Sequence, residues 1–127
     1  MVKGDIADFD EVKQMVDRFY FCAMKDDLLG PVFSQHLSVG MPQHLEKMYS
    51  FWHSLLFGSK SYSGRPFPPH IQLPIEKKHF KRWLKLFEIV VDESFVGPKA
   101  EEAKSRAKAI ATVFEVKLEG IKNKHAF

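Results

Sequence analysis

The sequence predicts an all-α domain, and three observations carry that reading. Long stretches place apolar residues at the three- and four-residue spacing of helices. No two stretches alternate with the two-residue period of paired strands around a hairpin turn. Between two pairs of helical stretches lies Pro66-Phe67-Pro68-Pro69-His70-Ile71-Gln72-Leu73-Pro74, whose four prolines in nine residues exclude a helix or central strand.

The first helix is expected to begin at Asp8. Asp8-Phe9-Asp10-Glu11 fits a capping box, with a carboxylate at the cap and a second three residues on. Val12, Met15, Val16, Phe19 and Ala23 then form an apolar face, with Tyr20 at its edge. Gly30-Pro31 predicts a stop for this helix or for a short continuation of it. Val32-Phe33 follows in a turn-rich region that is expected to run to Gly40. Cys22 reads as a small core residue.

The second helix is expected from Pro42, a favourable first-turn residue, to Gly58. Leu45, Met48, Phe51, Trp52, Leu55 and Leu56 make its apolar face. His44 shares the face of Met48, Phe51 and Leu55, a polar residue on a buried stripe. It fits a histidine that caps the open end of the core as well as one that serves a site. His53 falls off the stripe and is expected to be solvated. The third helix is expected over about 75–92, with Phe80, Trp83, Leu84, Phe87 and Val91 inward and Lys77, Lys78, Lys81 and Lys85 on a solvated face. The fourth starts at Pro98. It lines Ala103, Ala107, Ile110, Phe114 and Leu118 along one side and stops at Gly120, before a frayed tail from Lys122 to Phe127.

At 127 residues one domain is expected over 1–127, with its core at about 8–120. Such a length buries roughly two-thirds of the unfolded surface, enough to fold without staples. Hydrophobic residues make up 45%, which excludes a disordered chain. Twelve Phe, three Tyr and two Trp suit packing around a flat apolar group, and they equally suit a Phe-filled core. The net charge of +3 comes from 19 basic residues interleaved with 16 acidic ones, which argues against nucleic-acid binding by a clustered basic surface. A single cysteine excludes a disulfide framework. No apolar run approaches the roughly 18 residues of a membrane helix, and no signal-like pattern opens the chain. A soluble cytoplasmic protein is expected.

No His-Glu-x-x-His, phosphate loop or nucleophile elbow is present. Glu76-Lys77-Lys78-His79 is a single Glu-x-x-His, whereas a di-iron bundle needs two with further glutamates. Haem is the chemistry that fits. It needs an imidazole on one side, an apolar slot around the ring, and a few polar groups on the other side. His70 supplies the first, and the inner faces of the second and third helices the second. Tyr20, His44 and Trp83 are the candidates for the third. Tyr20 also fits a plain rim residue, and Trp83 plain core packing.

The chain resembles a truncated haemoglobin, and specifically the third group of that family. The resemblance rests on Phe19-Tyr20, Gly30-Pro31-Val32-Phe33, His44, Phe51-Trp52 and Gly58. It continues through Tyr62-Ser63-Gly64-Arg65-Pro66, His70-Ile71-Gln72-Leu73-Pro74 and His79-Phe80-Lys81-Arg82-Trp83-Leu84-Lys85-Leu86-Phe87, and spans about Val12 to Phe114. It implies a two-over-two helical sandwich around one haem b (iron protoporphyrin IX). Under it, His70 is the proximal iron ligand, and Phe33, Met48, Phe51, Arg65 and Phe87 join His70 in holding the cofactor. Tyr20, His44 and Trp83 form the distal ligand-binding side, with His44 at the gate. The iron is then pentacoordinate and binds dioxygen, nitric oxide or carbon monoxide, with nitric oxide or peroxide chemistry open and a reductase as partner.

Bound dioxygen carries partial negative charge on its outer atom, so a hydrogen-bond donor there slows its release. Two competing readings remain at this level. One is a helical nucleic-acid-binding module that uses the lysines of the third and fourth helices, and the other is a cofactor-free protein-interaction domain.

Overall fold

The computed structural model of the chain describes residues 3–36, 41–58 and 76–125, with side chains for all but 35–36 and 118–125. Five helices form within them: α1 (Phe9–Lys25), α2 (Gly30–His36), α3 (Met41–Phe57), α4 (Lys77–Ser94) and α5 (Pro98–His125). The proline-rich spacer lies outside the described residues.

Helix α1 starts as the capping pattern dictates. Glu11 N–H donates to Asp8 Oδ1 at 3.0 Å, and Ala7 N–H donates to Glu11 Oε1 at 2.9 Å. Its buried residues are Val12, Met15, Val16, Phe19 and Ala23, the face expected from spacing. Cys22 is half-buried and packs on the edge of that core.

Gly30-Pro31 behaves differently from expectation: it opens a helix instead of stopping one, and 30–36 is helical instead of turn-rich. The reason is local. A Cβ on residue 30 would stand 2.7 Å from the Met24 carbonyl oxygen, so glycine permits the close return of the chain. Proline in the first turn gives up an N–H that has no helical partner there. Asp26 fixes the corner, because its Oδ2 accepts from Leu28 N–H and Leu29 N–H, each at 3.0 Å.

Helix α3 begins at Met41, one residue before the expected start, and ends where Gly58 turns left-handed at φ 70°. His53 is half-buried and not solvated. Its ring lies 5.3 Å from both Phe9 and Phe57, so it packs as an aromatic. Helix α4 runs two residues later at each end than expected. Glu76 N–H donates to His79 Nδ1 at 2.8 Å, which makes the His of the Glu-x-x-His a cap of α4. Helix α5 continues through Gly120 to His125 instead of stopping or fraying there. Glycine inside a helix is unfavourable by only about 1 kcal/mol, and it ends one chiefly when its φ turns positive. Residues 126–127 lie outside the described residues.

Helices α1 and α3 form one packed pair, α4 and α5 the other, and α1 against α4 joins them, two helices over two. Phe87 is stacked between Trp52 at 4.9 Å and Trp83 at 5.6 Å, linking α3 to α4. The core also begins earlier in the chain than the periodic pattern suggests. Ile6 is 1% exposed, and Asp5 accepts from Lys99 N–H at 2.9 Å and Ala100 N–H at 2.8 Å, capping α5 from a distance. No described helix is long and apolar enough to cross a membrane.

Candidate functional site

Tyr20 follows the fully buried Phe19 on α1, which leaves its ring at the edge of the core with its hydroxyl directed across to α3. His44, one turn before Met48, meets it there. Tyr20 Oη and His44 Nε2 are 2.8 Å apart, and the two rings meet edge-on at 5.2 Å. From α2 the Phe33 ring comes to 5.4 Å of Tyr20, also edge-on. Helix α2, unforeseen as a helix, is what carries Phe33 to this position.

Burial pushes the Tyr20 hydroxyl well above the ordinary phenol range, so it holds its proton at any physiological pH. Its direction of donation depends on His44. With the proton on Nδ1, His44 accepts from Tyr20 through Nε2. With the proton on Nε2, His44 donates, and the Tyr20 proton is available to a third group. A change of tautomer thus switches the hydroxyl between an internal bond and a ligand.

Trp83 is half-buried on α4. Phe19 is edge-on to both Trp83 at 5.8 Å and Tyr20 at 5.1 Å, so Trp83 stands one ring away from the Tyr20–His44 pair. Of the three polar tips expected together, two touch and the third is joined through Phe19. Met48 and Phe51 are half-buried against the core, and Phe51 lies edge-on to Trp52 at 5.6 Å. Phe87 is 1% exposed and enclosed by the two tryptophans. Arg65 and His70 lie outside the described residues.

A haem is flat and apolar and needs neutral surroundings with a donor near its bound gas. The residues present fit that description. Tyr20 is an un-ionised donor, and Leu45, Met48, Phe51, Trp83 and Leu84 each pack one side on the core and keep the other partly open. Such half-covered apolar side chains on facing helices are the surface that a flat apolar group would cover.

The sequence pattern did not point to Asp26. Its carboxylate is 3% exposed and accepts from Arg82 of α4, with Nε and Nη2 each 2.6 Å from Oδ1. The guanidinium and the two backbone donors outweigh burial and hold the Asp26 carboxyl below the usual carboxylate range. An aspartate after a helix signals a turn, but nothing local signals a partner 56 residues away. The pair ties the α1–α2 corner, between Tyr20 and Phe33, to the residue before Trp83.

Comparison with known proteins gives a consistent result. The model of the bacterial-like globin family matches residues 5–116. The group 3 truncated haemoglobin of Campylobacter jejuni is 28% identical over 118 residues, covering 90% of this chain and 93% of that protein. The crystal structure of the group III truncated haemoglobin from Campylobacter jejuni superposes with a TM-score of 0.83 at 28% identity, over 92% of this chain and 95% of that one.

Proposed function

The chain belongs to the bacterial-like globin family, a haem-binding globin of the truncated haemoglobin kind, and from that premise we propose that it holds haem b and binds dioxygen and other diatomic gases on the Tyr20–His44 side. The observation that carries this reading is the 2.8 Å contact between a half-buried, un-ionised tyrosine and a histidine on a facing helix. When bound, the haem supplies an iron centre for the gas, and His70 is the residue we assign to its other side.

The protein's own groups then set how long a gas stays. Tyr20 would donate to the partly negative outer atom of bound dioxygen when His44 does not accept its hydroxyl proton. Such a bond in a dry pocket contributes roughly 1–3 kcal/mol, or about 5- to 150-fold in residence time. Trp83 N–H is a second donor, held by its stack on Phe87. His44, bonded to Tyr20 and half-exposed, gates entry. Phe33, Met48, Phe51 and Phe87 support the apolar surface, and Arg65 completes the cofactor-binding set. A pocket that holds dioxygen firmly suits nitric oxide or peroxide chemistry or sensing better than delivery. A cytoplasmic setting with a reductase partner accords with that.

The absorption spectrum of the purified protein, reduced and then exposed to carbon monoxide, is the test. A haem band that shifts on adding the gas is expected. A colourless protein that takes up no added haem would overturn the reading.

A further inference from the structure

We propose that Asp26 and Arg82 are positioning residues for the bound gas: their ion pair fixes where the two donors, Tyr20 and Trp83, stand relative to each other. The inference rests on the haem-binding reading above.

Among the described residues, Asp26 is the one charged residue that is buried. All its polar groups are engaged. Its N–H donates to the Ala23 carbonyl at 3.1 Å and closes α1, and its own carbonyl accepts from Gly30 N–H at 2.8 Å, where α2 begins. Oδ2 holds the corner between them through Leu28 and Leu29, while Oδ1 takes both Nε and Nη2 of Arg82. One residue thus joins three helices. Stability is a weak reason to keep such an arrangement. Breaking a buried ion pair is costly, but an apolar pair of the same volume holds two helices about as well. An apolar contact lets helices roll and slide, whereas a forked guanidinium on one oxygen fixes distance and direction.

What the pair fixes lies on both sides of it. On α4 the next residue is Trp83, about 100° round the helix, so anchoring Arg82 sets which way the indole turns. On the other side is α2. A seven-residue helix is too short to be stable by itself, so its place is set by what it touches. Asp26 anchors its start. Val32 packs with Phe80 of α4 and with Ala111 and Phe114 of α5 in a small cluster that Trp83 also borders. With Val32 seated there, Phe33 meets Tyr20 at 5.4 Å.

These contacts close a ring. From Asp26 they run to Arg82, to the adjacent Trp83, across Phe19 at 5.8 and 5.1 Å to Tyr20, to Phe33, and back along α2 to Asp26. Both donors belong to that ring, on different helices. Cutting the ion pair frees the first half of α4 to turn against α1 and α2. A hydrogen bond to the gas then weakens steeply as its distance and angle drift.

The test is Asp26→Asn in the haem-loaded protein. The amide oxygen still accepts from Leu28 and Leu29, so the corner keeps its cap, but the amide nitrogen then faces Arg82, which has only donors. Asp5→Asn is the matched control, because it removes the same charge from the carboxylate that caps the start of α5. Dioxygen release should accelerate at least about 5-fold in Asp26→Asn and less than about 2-fold in Asp5→Asn, with both variants less stable in urea. In the infrared spectrum of the carbon monoxide form, the C–O band should move up in frequency only in Asp26→Asn, as a donor withdraws from the gas. Asp26→Asn/Arg82→Met should release dioxygen as fast as Asp26→Asn alone, because the link is already cut. Release and band unchanged in Asp26→Asn, or moved equally by Asp5→Asn, would overturn the proposal. So would a further acceleration on adding Arg82→Met, which would show Arg82 acting apart from Asp26. Absence of a haem band in the unmodified protein would instead overturn the haem reading. The Trp83 indole N–H resonance, shifted by Asp26→Asn and not by Asp5→Asn, would then decide whether the pair positions that ring.

Discussion

The Tyr20 hydroxyl oxygen lies 2.8 Å from His44 Nε2 and joins α1 to α3. The hydroxyl is un-ionised, and its ring is held by Phe19 and Phe33.

Tyr20→Phe removes that proton and keeps the ring contacts. Dioxygen release should accelerate by about 5- to 100-fold, the kinetic equivalent of about 1–3 kcal/mol. Carbon monoxide accumulates less negative charge and should respond far less. Stopped-flow release measured for both gases checks this, and unchanged dioxygen release would remove Tyr20 from the ligand side.

His44→Leu removes the bond to Tyr20 and, on the proposed gating role, opens the way in. Association of dioxygen and carbon monoxide should rise together by about 2- to 10-fold, as expected for a barrier lowered by about 0.5–1.5 kcal/mol. Flash photolysis reads both rates. A change confined to dioxygen would mean that His44 bonds the gas and does not gate it.

His70→Ala should abolish stable haem uptake, and added imidazole should restore part of it. Haem titration followed by absorption decides the point. Full occupancy with an unchanged spectrum would place the proximal ligand elsewhere.

Asp26→Ala should lower unfolding stability at pH 7 by about 2–3 kcal/mol, since it strips charge-assisted hydrogen bonds from Arg82 and from the α1–α2 corner. The folded pKa of Asp26 is depressed. Its contribution is therefore complete above the ordinary carboxylate value of about 3.9 and is lost as pH falls through the folded value. Urea unfolding at pH 7 and below pH 4 should show the difference between variant and parent shrinking in acid.

Gly97→Ala should destabilise by at least about 1 kcal/mol, because φ is +141° and a Cβ there would stand 2.6 Å from Asp5 Cγ. Asp5→Gly removes the helix cap but also the whole clashing side chain, including the Cβ that would stand 2.8 Å away. The double variant should therefore lose less than the sum of the two single ones. Additive losses in urea would show that the strain at residue 97 is purely one of backbone conformation.

Much of the fold is determined locally and so was legible in the sequence. The inward face of α1 from Val12 to Ala23, the cap at Asp8, the stop at Gly58 and the start at Pro98 each depend on residues within a turn or two of one another. The places of Tyr20, His44 and Trp83, on or beside apolar stripes, were legible for the same reason. Tertiary structure decided the rest. Whether Gly30-Pro31 stops or opens a helix depended on how closely α2 returns to the Met24 carbonyl. His53 lost its expected solvation to Phe9, which lies 44 positions earlier on another helix. Asp5 reaches Ala100 of α5, 95 positions on, and Asp26 reaches Arg82, 56 positions on. Helical periodicity tells which face of each helix turns inward, because that depends only on spacing along one axis. Which residues meet across the interface depends on how the helices pack against one another, and only the folded chain sets that.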